Sequence, residues 1–435
     1  MFSKILVANR GEIAVRIIRA CKEMGVATVA VYSEADKDAL HVAMADERYC
    51  LGPAESEESY LHQHRIVTAA LLSGAKAIHP GYGFLSENAH FAGLCRRNGI
   101  VFIGPTPESM EKLSDKAELK KLMTAAGLSV IPGTGTLANV DIALLAAEDI
   151  GYPVMLKARS GGGGRGIRLV STPAELRAVY PQAVTEAEAA FGDGAVYLEK
   201  YISSARHIEV QVLADEFGNI VCLGERDCSL QRRNQKLIEE TPSPAVSPAQ
   251  RSELIEKCVH AARTLGYVGA GTMEFLLDAQ GNFWFMEMNV RLQVEHCVTE
   301  MLTRLDLVKL QIRIAAGIPL SFQQSDVNLS GAAIECRVNA RACGKVRALH
   351  IPGGPDVRFD TYLTPETVVS PWYDSLVGKL ITYAATRDEA LRKMRAALCE
   401  LVIDGIETNV DEQLELISDE RYISGNYDLK FMEGR

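Results

Sequence analysis

The segment Thr272–Glu295, TMEFLLDAQGNFWFMEMNVRLQVE, constrains the fold of this chain more than any other stretch. From Met286 onward its residues alternate. Met286, Met288, Val290, Leu292 and Val294 point one way, and Glu287, Asn289, Arg291, Gln293 and Glu295 the other, which is the period of a β-strand. AQGN (279–282) reads as a turn between two arms of a hairpin. A four-residue loop there pairs Asp278 with Phe283 and so brings Glu274 opposite Glu287. Two carboxylates facing each other destabilise a sheet. A cation between them reverses the sign, and a set of two Glu with the Asn289 carbonyl oxygen suits Mg²⁺, or Mn²⁺ in its place. The competing reading is the solvated outer face of an ordinary hairpin. Phe283, Trp284 and Phe285 on the same arm favour a buried setting.

The bulk of the chain narrows the setting. A length of 435 residues exceeds one ordinary core and implies two to four domains, by the rough scaling of domain size. A net charge of −10 argues against a nucleic-acid surface. No apolar run approaches the roughly 18 residues of a membrane span, so no membrane role is expected. The start, MFSKILVANRGE, reads as a strand and not a signal peptide. Ten cysteines without a CxxC pair read as reduced thiols in a cytoplasmic protein.

The first hundred or so residues alternate strand and helix: ILVAN (5–9), a helix over Glu12–Met24, then ATVAVY (27–32), AKAIHP (75–80) and IVFIG (100–104). This pattern predicts a parallel sheet with crossover helices. The first turn, NRGE, has one glycine where a dinucleotide fingerprint needs three, which disfavours a nicotinamide cofactor. Residues 105–133 turn helical, with Ser114 or Asp115 as caps. A compact α+β unit follows over about 131–203, then a larger mixed region to about 320. The last hundred residues read as a mixed sheet closed by a helix at Arg387–Ile403. The expected division is 1–113, 114–320 with an inserted lid at 131–203, and 321–435, in an α/β and α+β fold.

Four further segments carry chemistry. Glycines 161–164 and 166, after Lys157, let backbone N–H groups approach a phosphate chain. The run lies between two expected strands, which makes a flap over nucleotide phosphates a better reading than a linker. Glu199-Lys200-Tyr201-Ile202 ends a strand where backbone groups can meet an adenine edge. RDCSLQRRNQK (226–236) gathers Arg226, Arg232, Arg233 and Lys236 in an acidic protein, as an anion site would. Arg337 sits mid-strand among apolar neighbours, where a charge needs a partner.

Taken together these segments resemble the biotin carboxylases of the ATP-grasp superfamily. The resemblance rests on KILVANRGEIAVRIIRACKEMG, AIHPGYGFLSEN, FIGP, SGGGGRGIR, EKY with RHIEVQV, ERDCSLQRRNQKLIEETPSP, GTMEFL, FMEMNVRLQVEH, ECRVNA, YDSLVGKL and DGIETNV, in family order over nearly the whole chain. It implies a Rossmann-like N-terminal domain, an ATP-grasp domain with a mobile lid, and a C-terminal domain. It also implies a reaction in which ATP and bicarbonate form carboxyphosphate and a carrier-bound biotin is carboxylated. By motif match, Lys116, Lys157, Gly163, Gly164, Glu199, Lys200, Tyr201, Ile202, His207, Gln231 and Asn234 hold ATP. Glu274, Glu287 and Asn289 hold the metal. Lys236, Arg291, Gln293 and Val294 cradle bicarbonate, Glu295 is its general base, and Arg337 serves biotin with Tyr82 nearby.

The chain departs from the family pattern in two places. Asn234 stands where the family usually has histidine, and NARACGK (339–345) is several residues shorter than its usual counterpart. There is no biotinyl-lysine motif of the Met-Lys-Met type. The implied partners are therefore a separate biotin carboxyl carrier protein and carboxyltransferase subunits. Acetyl-CoA carboxylase, in fatty acid synthesis, is the expected setting; propionyl-CoA or pyruvate carboxylase, or a catalytically weak paralogue, are the alternatives. A homodimer is implied, with the helix bearing Arg16, Arg19 and Glu23 as candidate interface.

Overall fold

A computed structural model describes residues 1–160 and 166–433, with the helical backbone alone at residues 116 and 117. The N-terminal part is a five-stranded, all-parallel sheet. Lys4–Val7 lies at its centre, flanked by Ala27–Ser33 and Ala77–His79, with Glu47–Gly52 and Val101–Phe102 at the edges. The helix Gly11–Glu23 buries Ile13, Ile17 and Ile18 against it. Of the strands, Glu47–Gly52 was not foreseen. Its sequence ERYCLG offers only Tyr49 and Leu51 to the core, because the strand lies at an edge with Arg48 and Cys50 exposed.

An eight-stranded antiparallel sheet dominates the rest. Its order runs Phe283–Asn289, Gly269–Leu277, Arg206–Ala214, Ile220–Arg232, Gln235–Thr241, Ala332–Asn339, Leu376–Ala384 and Val357–Thr361. Ile208, Val210, Val212 and Met273 feed the core under one face. His207, Glu209 and Gln211 alternate with them and point to the other face. The sheet runs without a break across the expected boundary at 320, because Ile238 pairs with Cys336 and Thr241 with Ala333.

The hairpin pairs Glu274 with Glu287 as expected, but by a different route. Its loop is one residue longer than foreseen, since Leu277 pairs with Phe283. A register shift between Glu274 and Phe275 then restores the carboxylate pairing. Such a bulge gives two residues of one strand a single partner. The alternation does not continue as a strand to Glu295. At Val290 the backbone N–H leaves the ladder and donates to Glu87 Oε1 at 3.1 Å. Glu295 is instead the N-cap residue of the helix His296–Thr303. Arg291 and Glu295 therefore do not share a strand face.

The unit near 131–203 holds a small sheet, with Val154–Ala158 between Ile167–Val170 and Val196–Lys200. Two helices, Val140–Ile150 and Pro173–Phe191, close a separate core over it. Asp115 accepts from Glu118 N at 3.0 Å, the cap foreseen there. The helix expected over 387–403 ends at Glu400, and Val402–Asp404 pairs as a strand with Ala348–His350. Among the described residues no helix is long and apolar enough to cross a membrane.

Candidate active site

Across three neighbouring strands the register sets Glu287, Glu274 and Glu209 in a row, and Arg226 faces Glu209 on the fourth. Three carboxylates side by side repel, so cations must lie over them. Lys236 is that cation on one side. Its ammonium contacts Glu209 Oε2 at 2.7 Å, Glu295 Oε1 at 2.5 Å and Glu274 Oε1 at 3.7 Å. Burial alone would lower the Lys236 pKa, but Cys228, Glu209, Glu274 and Glu295 hold it well above the usual range. Arg226 is wholly buried and closes the row through Glu209 at 2.5 Å.

Glu295 is 1% exposed and sits between Lys236 and Arg337, whose Nη2 lies 3.0 Å from its other oxygen. Burial would push its carboxyl up, yet Lys236, Arg337 and Arg226 outweigh burial and hold it well below the carboxylate range. The group is therefore ionised at neutral pH. Glu274 is also ionised. Burial is outweighed there by Lys236 and His207, and His207 Nε2 lies 3.0 Å from its Oε2. On the far side of that ring, Gln231 Nε2 lies 2.7 Å from His207 Nδ1. Asn289 Nδ2 and Gln293 Nε2 donate to Glu274 Oε1 at 2.6 and 3.1 Å. Arg291 bridges outward, donating to Asn289 Oδ1, Gln293 Oε1 and Glu87. Thus His207, Gln231, Lys236, Glu274, Asn289, Arg291, Gln293, Glu295 and Arg337 form one bonded network.

A cleft of about 490 Å³ opens beside it, and Lys236, Val294, Arg337, Tyr82, Arg10 and Trp372 are among the residues that line it. The Val294 carbonyl accepts from Lys379 at 2.8 Å, and Tyr82 donates to Glu12, which also pairs with Lys379 at 3.1 Å. The short 339–345 segment closes tightly behind Arg337: Gly344–Lys345 pairs with Val368–Val369. The Arg337 carbonyl accepts from Asn409 at 3.0 Å and Gln413 at 2.7 Å.

In the small-sheet unit, Glu199 is buried and paired with both Lys157 and Lys120. Burial would raise its carboxyl pKa, but Lys157 and Lys120 lower it on balance. Lys200 turns away from the network, its ammonium donating to Gly151 O at 2.6 Å. The Lys200 and Tyr201 N–H groups donate to Pro132 and Pro153 carbonyls, and Ile202 follows just after the strand. Gly163 and Gly164 of the expected flap, and the Lys116 side chain, lie outside the described residues.

Two expectations change, for the basic run and for Arg16. The basic run 226–236 is not one anion site, because strand alternation and a turn split it. Arg226 is interior and pairs with Glu209, Arg232 pairs with Glu412, and Lys236 lies over Glu209, Glu274 and Glu295. Asn234 is exposed at φ 64°, next to Arg233 at φ 50°, in the two-residue turn between Arg232 and Gln235. Asn suits that left-handed position. On the helix expected at an interface, Arg16 turns inward to Glu300 at 2.8 Å and Asp306 at 2.7 Å, whereas Arg19 and Glu23 stay exposed. Sequence reading missed Glu209, Glu239, Glu335, Lys379, Glu12 and Lys120. The signal available was polar residues at alternate positions of apolar strands, as in HIEVQV, LIEET and AAIECRV.

Comparison with known proteins supplies the context. Residues 1–110 match the model of the biotin carboxylase N-terminal domain, and 335–434 that of the biotin carboxylase C-terminal domain. Residues 115–323 match the carbamoyl-phosphate synthase L chain ATP-binding domain. Biotin carboxylase 1 of Bacillus subtilis is 51% identical over 443 residues, covering 100% of this chain and 98% of its own length. The biotin carboxylase of Pseudomonas aeruginosa is 50% identical over 442 residues, with 100% and 98% covered. A Campylobacter jejuni biotin carboxylase solved as a β,γ-ATP complex superposes with a TM-score of 0.97 at 47% identity, covering 99% and 98%. The dimeric biotin carboxylase domain of Hydrogenobacter thermophilus 2-oxoglutarate carboxylase was solved with MgADP, ADP and bicarbonate. It gives 0.96 at 48% identity, covering 100% and 97%.

Proposed function

Because this chain belongs to the biotin carboxylases, ATP-dependent ligases of the ATP-grasp superfamily, we propose that it carboxylates biotin at the cost of ATP and bicarbonate. The observation that carries this reading is Glu295, buried and ionised between Lys236 and Arg337 beside the 490 Å³ cleft. A base for bicarbonate must be ionised, shielded from water and next to the cations that hold the anion.

In this reading Lys236, Arg291, Gln293 and the Val294 backbone hold bicarbonate. Glu295 is a weak base while both cations grip it. An anion entering between Lys236 and Glu295 loosens that grip, and the carboxylate then takes the bicarbonate proton as the oxygen attacks the terminal phosphate of ATP, forming carboxyphosphate while the bond to the β-phosphate oxygen breaks and ADP leaves. Lys157, Lys120, His207, Gln231 and Lys116 orient the nucleotide, with the glycine run and the Glu199–Ile202 hinge over it. Glu274 and Glu287 fit a divalent cation, since they stand opposite each other in the sheet and their oxygens, with the Asn289 amide oxygen, are a hard donor set. Mg²⁺ bound there would neutralise phosphate charge during transfer. Arg337 then serves the biotin ureido oxygen in the cleft, which Tyr82 also lines.

The reading extends to a homodimer, a biotinylated carrier and a carboxyltransferase, with acetyl-CoA carboxylase as the setting. All ten cysteines are free thiols, which fits a reducing cytoplasm. The domain division at 113 and 320, with a lid at 131–203, is part of the same proposal. Phosphate release from ATP that requires bicarbonate and rises with free biotin tests the function. ATP cleavage indifferent to both would refute it.

A further inference from the structure

Beneath Arg337 lies a pair of acids that the proposed reaction does not use. Glu239 and Glu335 stand directly opposite each other on adjacent antiparallel strands, and both are 0% exposed. Of their four carboxylate oxygens only Glu239 Oε1 has a donor, Arg337 Nε at 2.6 Å. Among the described residues the other three have no hydrogen-bond partner.

The cations around the pair are engaged elsewhere. Arg337 is divided between Glu239 and Glu295, Lys236 between Glu209 and Glu295, and Lys379 between Glu12 and the Val294 carbonyl. The remaining titratable neighbours are Cys336 and Cys297, neutral thiols whose pKa burial raises. Two buried carboxylates side by side cannot both be ionised without donors. A proton on one of them supplies the missing donor.

We propose that Glu239 and Glu335 share one proton, held on the Glu335 side at neutral pH, and that this neutral–ionised pair positions Arg337. Burial pushes the Glu335 carboxyl well above its ordinary range and that of Glu239 up to about 7. With the proton in place Arg337 has a single carboxylate beneath it, and its second edge remains for Glu295 and the cleft. Loss of the proton doubles the negative charge beneath Arg337 and draws the guanidinium inward. The proton rests on the geometry alone; its effect on turnover rests on the role proposed for Arg337.

The Glu335→Gln variant, isosteric with the neutral acid, separates these points. A carboxyl whose folded pKa exceeds its unfolded value keeps a proton that the unfolded chain has lost. Wild-type stability therefore falls as pH rises through that window, by a factor of about ten in the unfolding constant per pH unit. Glu335→Gln lacks this term. Its stability relative to wild type should rise about tenfold per pH unit between about pH 5 and 7. Infrared spectra at pH 7 should show a protonated-carboxyl band in wild type that the substitution removes. A pH-independent stability difference together with an unchanged band would overturn the shared proton. Should Glu335→Gln not fold, Glu239→Gln takes its place: with one acid gone, the remaining carboxyl must titrate at lower pH, and an unmoved titration overturns the proposal. In the biotin-stimulated ATPase, Glu335→Gln should move the alkaline limb to higher pH. An unmoved limb beside a confirmed proton overturns the positioning of Arg337. Absence of biotin-stimulated activity at every pH counts against the proposed function and leaves the infrared and stability arms to decide the proton.

Discussion

Glu295 and Arg337 lie 3.0 Å apart, so the residues given separate half-reactions are in direct contact. Their substitutions should still separate. Glu295→Gln should lower bicarbonate-dependent ATP cleavage by roughly 100- to 10,000-fold, the range for a lost general base, with ATP affinity by fluorescence titration nearly unchanged. Arg337→Gln should cripple carboxybiotin formation more than ATP cleavage, because its cationic edge faces the cleft while Lys236 still holds Glu295. It also strands Glu239, a buried acid, and should destabilise the fold by about 3–5 kcal/mol, measured by denaturant titration. Equal loss of ATP cleavage and carboxybiotin in folded protein would show that the two steps are not divided between these residues.

At the scale of elements, the hairpin carries the metal prediction. Glu287→Gln should raise the Mg²⁺ concentration needed for half-maximal ATP cleavage and cut turnover, since one of two facing carboxylates is lost. An unchanged Mg²⁺ dependence would remove Glu287 from the metal site. The turn at Arg233–Asn234 carries another prediction. Asn234→Gly should leave stability and the KM for ATP close to the parent, whereas Asn234→Val should cost about 1–3 kcal/mol, the strain of a branched residue in left-handed backbone. A raised KM in Asn234→Gly would show that the amide touches nucleotide and is not there for the turn alone. The unit over 131–203 has its own core, and its last strand, Val196–Lys200, precedes the long-sheet strand Arg206–Ala214. ATP should slow hydrogen exchange in its strands Val154–Ala158 and Val196–Lys200 if it closes on nucleotide. Equal exchange with and without ATP would exclude closure.

Across the whole molecule, the continuous sheet decides how the chain unfolds. The strand Ala332–Asn339 takes one partner from before residue 320, Gln235–Thr241, and one from after it, Leu376–Ala384. Residues 321–435 expressed alone should therefore fail to give a dispersed NMR spectrum, because that strand becomes an uncovered edge. A well-folded fragment would show that the C-terminal part stands by itself. Arg16 joins the N-terminal helix to Glu300 and Asp306 in the same way, and Glu300 also pairs with Arg358 at 2.7 Å. The N-terminal helix Gly11–Glu23, the helix His296–Thr303 and the C-terminal strand Val357–Thr361 thus share one ion cluster.

Local period and turn chemistry determined which elements form. The βα alternation of the first hundred residues, the AQGN turn and the HIEVQV alternation act over a few residues and are readable without the fold. The carboxylate pairing of Glu274 with Glu287 was legible too, although a longer turn and a bulge reached it together. The LQVE stretch was not, because its alternation suits both a strand and the approach to a helix, and only the Glu87 contact at Val290 turns the chain. Charge partners were likewise undetermined. Ion pairs form between residues distant in sequence, as Lys236 does with Glu209 and Glu295, and their strength depends on burial that no local pattern reports. Tertiary structure alone set Glu239 against Glu335, turned Arg16 inward, and gathered Glu295, Lys236 and Arg337 beside one cleft.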